Sequence, residues 1–214
     1  MSLSIYTYIL GPLENNTYVV ADSDSLEAAI IDPSFESETI LEDIRHKGLK
    51  LTRIWLTHAH FDHFVGVGPI NSNLAIPLPV GLHSGDVNLW RHGGGADAFG
   101  LRIQPLEEPA IHFYHCQILK LGNLRFEVRH TPGHTRGHVV FYVEEASVVF
   151  CGDLIFRHSI GRTDLDGGDQ VTLLRSIQTQ ILTLPPKTRL LSGHGPETTV
   201  AEESAENPFL DHLA

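Results

Sequence analysis

A mostly apolar stretch, 51–56, runs directly into Thr57-His58-Ala59-His60-Phe61-Asp62-His63, which places three imidazoles and a carboxylate within six residues of a strand's end. No other feature of the chain constrains it as strongly, because so many metal-ligand types are separated by so few backbone bonds. On the strand and the turn after it, His58 and His60 stand at i and i+2 and point the same way. The turn swings Asp62 and His63 toward an adjacent point, so four ligands divide naturally between two metals.

Three later residues read as the completing partners. His134 lies in Thr131-Pro132-Gly133-His134-Thr135, Asp153 follows Cys151-Gly152, and His194 sits in Gly193-His194-Gly195. Each is a His or Asp just beyond a strand, flanked by glycine that permits close backbone approach. His138, four residues after His134, begins a strand and reads as hydrogen-bonded support for the ligands. Cys151 reads as core, and Cys116 and Cys151 as reduced thiols.

The alternation of apolar residues predicts strands over 2–10, 17–21 and 27–31, the last stopped by Asp32-Pro33. A helix is expected over 36–47, with Ile40, Leu41 and Ile44 on one face and Gly48 as left-handed cap. A second helix falls within 64–74, disturbed by Pro69, and a strand at 78–82. In 91–117 three consecutive glycines, Pro105 and Pro109 break any period, which predicts a long loop region able to overhang a site. His83, His92, His112 and His115 lie in or near it; they could shape a pocket mouth, but nothing in their spacing makes a second metal site and a solvated or core role is the better reading. Strands follow at 118–121, 124–130, 138–143 and 148–151, then a helix over 170–182 capped by Asp169, a strand at 189–191 and a short helix. This order suggests two packed sheets with helices outside.

Composition narrows the class further. At 214 residues, with 42% hydrophobic and 19% charged residues, the chain reads as one globular domain, 1–214. Folding at this length hides roughly 70% of the unfolded surface, so a metal is not needed merely to hold the chain together. Lys plus Arg is 15 against Asp plus Glu 26, a net charge of −11 that argues against nucleic acid as a partner. No apolar run approaches the roughly 20 residues that span a bilayer, and the start lacks a secretory signal, so a cytoplasmic location without membrane partners is expected.

The segments 57–63, 131–135, Gly152-Asp153-Leu154-Ile155-Phe156, Gly161-Arg162-Thr163-Asp164, Gly193-His194-Gly195-Pro196 and the Asn207-Pro208-Phe209-Leu210 ending resemble the metallo-beta-lactamase superfamily. Within it they are most similar to the short glyoxalase II-like, or hydroxyacylglutathione hydrolase-like, enzymes. The resemblance implies an α+β four-layer αβ/βα sandwich of two mixed sheets with helices outside. It implies two divalent ions, one held by His58, His60 and His134, the other by Asp62, His63 and His194, with Asp153 and a hydroxide bridging them. Zinc is the expected ion, and the mixed His and carboxylate set also accepts iron or manganese. The implied activity is hydrolysis of a small-molecule thioester, S-D-lactoylglutathione or a related hydroxyacylglutathione, by attack of the bridging hydroxide. Asp62 would orient the nucleophile, and Arg162 would either face the glutathione part or pair structurally with Asp164. Longer type II glyoxalases carry a C-terminal helical domain with cationic contacts to glutathione. This chain, ending soon after Leu210, would lack it and have room for a broader thioester specificity.

The same resemblance leaves rivals. A persulfide dioxygenase would take His58, His134 and Asp153 around a single iron, a two-His, one-carboxylate triad. A lactonase-like or beta-lactamase-like hydrolase, an RNA-processing nuclease and a non-enzymatic module that merely keeps the fold follow in that order. The Gly-His-Gly-Pro turn favours the dinuclear hydrolase.

Overall fold

Strands β1 (Leu3–Leu10), β2 (Asn15–Asp22), β3 (Glu27–Ile31), β4 (Lys50–Trp55), β5 (Val80–His83) and β6 (Ile111–Phe113) form one sheet in that spatial order. β1 to β3 are antiparallel, and β3 to β6 run parallel. The second sheet is built from β7 (Gln117–Leu121), β8 (Leu124–His130), β9 (Val139–Val143) and β10 (Val148–Gly152). A small hairpin of β11 (Ile155–Phe156) and β12 (Ser159–Ile160) then leads on to β13 (Arg189–Ser192) and β14 (Thr198–Thr199), giving the order β14-β13-β10-β9-β8-β7. Its pairs are antiparallel except β10 with β13. This computed structural model describes residues 2–103 and 106–211; Pro105, and the ends of the expected 1–214 domain, lie outside them.

The period of two along each strand explains the layering. Tyr18 and Val20 of β2 face the second sheet, while Val19 and Ala21 face helices α1 (Ile40–His46), α2 (Phe61–Phe64), α3 (Val67–Ser72) and α4 (Val87–Arg91). In β9 the inward residues are Val139, Phe141 and Val143, and Val140 and Tyr142 pack outward with α5 (Gln170–Gln180) and α6 (Val200–Glu206). Strands buried on both faces in this way read as continuous apolar runs, as Val139–Val143 does. The result is the expected four-layer α+β sandwich. At its centre Trp55 meets the rings of Phe126 at 4.9 Å and Phe141 at 5.7 Å.

Several elements depart from the sequence reading. The first helix begins late, a 3-10 turn at Ser37–Thr39 preceding α1. The helix expected within 64–74 is α3, preceded by the unforeseen single turn α2, and Pro69 does not disturb it because it occupies the first turn of α3, where its missing N–H would have had no partner. The 91–117 region is not all loop: it contains a glycine-rich helical segment, Gly93–Phe99, and β6, whose three residues are too few to show a period. Gly48 adopts the left-handed conformation, and the Asp169 side chain accepts from Thr172 N at the start of α5, both as expected. Among the described residues no helix is long and apolar enough to cross a membrane.

Trp55 is fully buried between the sheets, so Trp55→Ala should cost about 3–5 kcal/mol of folding free energy, read as a lower urea midpoint at unchanged slope.

Candidate metal centre

Parallel strands deliver their C-terminal ends to one edge of a sheet, which is where α/β folds collect functional groups. Here both sheets present such ends to the same place. His58 and His60 follow β4, the single turn of α2 carries Asp62 and His63, His134 follows β8, Asp153 follows β10 and His194 follows β13. Two trios result, His58 with His60 and His134, and Asp62 with His63 and His194, each with donor atoms within 4.8 Å of one another. His60 Nδ1 and His134 Nε2 are 2.8 Å apart, and His194 Nε2 is 3.3 Å from Asp62 Oδ2. The Asp153 carboxylate lies between the trios: Oδ1 is 3.3 Å from His63 Nε2, and Oδ2 is 3.7 Å from His134 Nε2 and 3.8 Å from His194 Nε2. All seven ligand candidates read from the sequence therefore meet in one cluster.

Hydrogen bonds to the far nitrogen set the tautomer of four of the imidazoles. His58 Nδ1 donates to Thr57 Oγ1 at 3.0 Å, and that hydroxyl in turn donates to Asp32 Oδ2 at 2.6 Å. His63 Nδ1 donates to the same Asp32 oxygen at 3.1 Å. His134 Nδ1 donates to the Arg162 carbonyl at 2.7 Å, and His194 Nδ1 to the Leu13 carbonyl at 2.9 Å. Each of the four thus turns Nε2 toward the cluster. His138 differs, since its Nε2 accepts from Asp153 N at 3.2 Å while Nδ1 donates to Thr131 Oγ1, so it fixes the backbone of Asp153 and has no free nitrogen for a metal.

Close backbone approach makes this density possible. A Cβ on Gly193 would stand 2.3 Å from Asp153 Oδ1, and one on Gly152, at φ +48°, would stand 2.3 Å from Thr57 Oγ1. Only glycine fits either position.

Burial and charge divide the imidazoles into two kinds. Desolvation, reinforced by neighbouring imidazoles, pushes His60 down to about 3 and His58 well below the ordinary histidine value, so both are neutral with a lone pair to offer. Burial also opposes charge on His63 and His194, yet the carboxylates Asp153 and Asp62 outweigh it and hold both above the ordinary value. Those imidazolium charges, His63 foremost, in turn overcome desolvation and keep Asp62 and Asp153 ionised.

The residues fit divalent ions. His58 Nε2 and Asp153 Oδ1 are buried with no hydrogen-bond partner, although a polar atom orphaned in a protein interior is costly. Both face the cluster, and the donor set of imidazole nitrogens and carboxylate oxygens is one that zinc, iron or manganese accepts. A cavity of about 450 Å³ opens onto His60, Asp62, His134, Asp153 and His194. The glycine-rich segment at 93–99 overhangs it, as the sequence suggested, through Gly94, Gly95 and Phe99. Arg162 also reaches its wall, with its guanidinium held by Asp164 at 2.7 and 2.8 Å. His83, His92, His112 and His115 do not line it, and His83 stacks instead on His130 at 4.1 Å.

Two carboxylates escaped the sequence reading. Asp32, read only as a strand stop, holds Thr57 and His63 from a left-handed backbone, φ +51°. Asp86, buried with its acid strength weakened by desolvation, accepts from Thr135 Oγ1 at 2.6 Å, Gly137 N at 2.6 Å and Ala59 N at 3.1 Å, so it ties the loop after β4 to the loop after β8. Both follow strands parallel to β4, and position at such strand ends is the signal that would have found them.

The sequence family described as Metallo-beta-lactamase superfamily matches residues 10–194. A probable metallo-hydrolase of Bacillus subtilis, YqgX, is 41% identical over 205 residues, 94% of this chain and 95% of the relative. The hydroxyacylglutathione hydrolase GloC of Haemophilus influenzae is 37% identical over 190 residues, 88% of this chain and 89% of the relative. Among solved structures, BLEG-1 B3 metallo-beta-lactamase superposes with a TM-score of 0.90 at 38% identity, covering 97% of this chain and 100% of that one. A di-iron-bound form of TTHA1623 gives 0.86 at 42%, covering 96% and 100%. ETHE1 from Myxococcus xanthus gives 0.79 at 25%, covering 96% and 83%.

Asp86→Ala leaves three donors unpaired between the two ligand loops and should weaken metal retention about 10- to 100-fold in a chelator competition, with the far-ultraviolet spectrum unchanged. The raised pKa values of His63 and His194 favour their protonated forms without metal, so an ion must compete with protons for them. Metal binding at pH 7 should then release protons, seen as a binding enthalpy that varies with the buffer's ionisation enthalpy, and affinity should fall as pH falls. A buffer-independent enthalpy would contradict this.

Proposed function

The chain belongs to the metallo-beta-lactamase superfamily, and from that premise we propose that it is a dinuclear metal-dependent thioester hydrolase acting on glutathione thioesters, S-D-lactoylglutathione among them. The observation that carries this reading is the Asp153 carboxylate, which directs one oxygen to His63 and the other to His134 and His194 and so stands between two complete donor trios. His58, His60 and His134 would hold one ion, Asp62, His63 and His194 the other, and Asp153 both. We take zinc as the ion, the whole chain as one domain of this fold, and the cytoplasm as its location. The relative named as a hydroxyacylglutathione hydrolase supports the substrate class.

When bound, the two ions supply an acidified water and Lewis-acid polarisation of the substrate carbonyl. The protein's own groups do the rest. Asp62, whose carboxylate lines the cavity, accepts a hydrogen bond from the attacking water and orients it toward the carbonyl carbon. The water oxygen adds to that carbon, the C–S bond breaks with its electron pair on sulfur, and the products are a carboxylic acid and a thiol. Thiols ionise near pH ~8.5, so the sulfur leaves without a dedicated general acid. Arg162, on the cavity wall with its side chain half exposed, is our candidate for the glutathione carboxylate, which would exchange with Asp164.

A second reading is a mononuclear iron persulfide dioxygenase using His58, His134 and Asp153, favoured by the likeness to ETHE1. Against it, His63 and His194 are each oriented by their own hydrogen bond, to Asp32 and to the Leu13 carbonyl, support that a single-ion site would not need. Metal content and activity on one sample separate the two. Two metals per chain, cleavage of S-D-lactoylglutathione, no oxygen uptake with glutathione persulfide, and loss of turnover in Asp153→Ala and Asp62→Ala are expected. One iron per chain with oxygen consumption would replace the hydrolase reading.

A further inference from the structure

Apart from the metal-ligand candidates, Gly94 and Gly95 and two charged residues, the side chains that wall the cavity are apolar: Leu13, Phe61, Leu89, Ala98, Phe99 and Leu165. Two charged side chains also reach it, and each has a partner, Arg162 with Asp164 and Asp166 with Arg136. Among the described residues no hydroxyl or amide side chain lines it. A site that selects a polar substituent places a hydrogen-bonding group against it, because the unpaired group then rejects analogues that lack the substituent. No hydroxyl or amide side chain among the described residues waits here for the hydroxyl of a hydroxyacyl group.

The wall also leaves apolar surface open beside the centre. Leu13 is 41% exposed and Phe99 52% exposed, an unusual state for large hydrophobic residues that share one concave site. Phe99 packs its ring against Phe61 at 5.2 Å, and Phe61 immediately precedes Asp62 in the chain. An apolar group lying on this pair therefore sits directly beside the ligand cluster, where the acyl carbon must come to be attacked.

Resting on the thioester reading above, we infer that the preferred substrate carries an apolar acyl group longer than lactoyl, seated between Phe99, Phe61 and Leu13. The cavity, about 450 Å³, is within the usual range of small-molecule sites, roughly 300–1,000 Å³, and has room for such a chain.

The test uses metal-loaded protein and one thiol throughout: acetyl-, butyryl- and hexanoyl-glutathione beside S-D-lactoylglutathione. Each added methylene buried on the wall should raise kcat/KM about four-fold until the cavity is filled, and the hexanoyl compound should exceed the lactoyl one. Phe99→Ala, and independently Leu13→Ala, should lower kcat/KM for hexanoyl-glutathione about ten-fold more than for acetyl-glutathione. A flat or falling series, or lactoyl as best substrate, would overturn the inference. Titration of the same protein with acetate, butyrate and hexanoate provides a binding readout that needs no turnover. If no thioester is cleaved, the hydrolase reading fails by itself. The apolar site then stands if Kd falls about four-fold per methylene and falls with it if Kd is constant.

Discussion

The hydrogen bond from Val139 N to the Thr57 carbonyl, 2.8 Å long, crosses from the second sheet to the first. Everything at the metal centre depends on that approach. The two sheets are joined chiefly by side-chain packing, which alone would hold them apart by the width of their core. At this edge the core runs out and the layers close up: Gly152 lies against the Thr57 side chain, and Asn16 N donates to the Gly193 carbonyl at 2.7 Å. Only because the edge closes can a trio of ligands draw His58 and His60 from one sheet and His134 from the other.

Closing the edge buries a dense set of polar groups, and their charges arrange themselves to make this tolerable. Desolvation and neighbouring imidazoles hold His58 and His60 neutral, while the carboxylates beside His63, which is equally buried, and His194 outweigh desolvation and raise their pKa values. Positive charge is favoured around that second pair, a role that a divalent cation would take over. Asp32 and Asp86 extend the arrangement outward, each accepting several hydrogen bonds and so remaining buried without a cationic side chain of its own other than His63. The apolar wall from Leu13 to Phe99 then limits solvent on the open side, and a lower local dielectric strengthens the electrostatics inside.

Much of this could be read before any coordinates. The seven ligand candidates were legible because each follows an apolar strand, four of them crowded into 58–63 and the other three, His134, Asp153 and His194, each beside a glycine, all local signals. The strands themselves were legible from their period, whereas β6 was not, since three residues at a sheet edge carry no period. Pro69 misled because a proline's effect depends on whether it falls in a helix's first turn or its interior, and the start of α3 is fixed by packing. Asp32 and Asp86 stayed hidden for a related reason. Each looks like an ordinary turn residue until its partners, at positions 57, 59, 63, 135 and 137, are brought to it.

The sequence by itself determined which donor types the protein carries, their order and their placement at strand ends, because those follow from residue identity and short-range periodicity. Only the tertiary structure decided how they pair and which nitrogen each presents. His194 is oriented by the carbonyl of Leu13, 181 residues away, and His63 by Asp32, 31 residues away. It also decided that Phe99 comes from an irregular segment to stand on Phe61 beside the centre. Contacts over such separations depend on sheet register and on how closely two packed layers approach, and no local pattern of side chains encodes those distances.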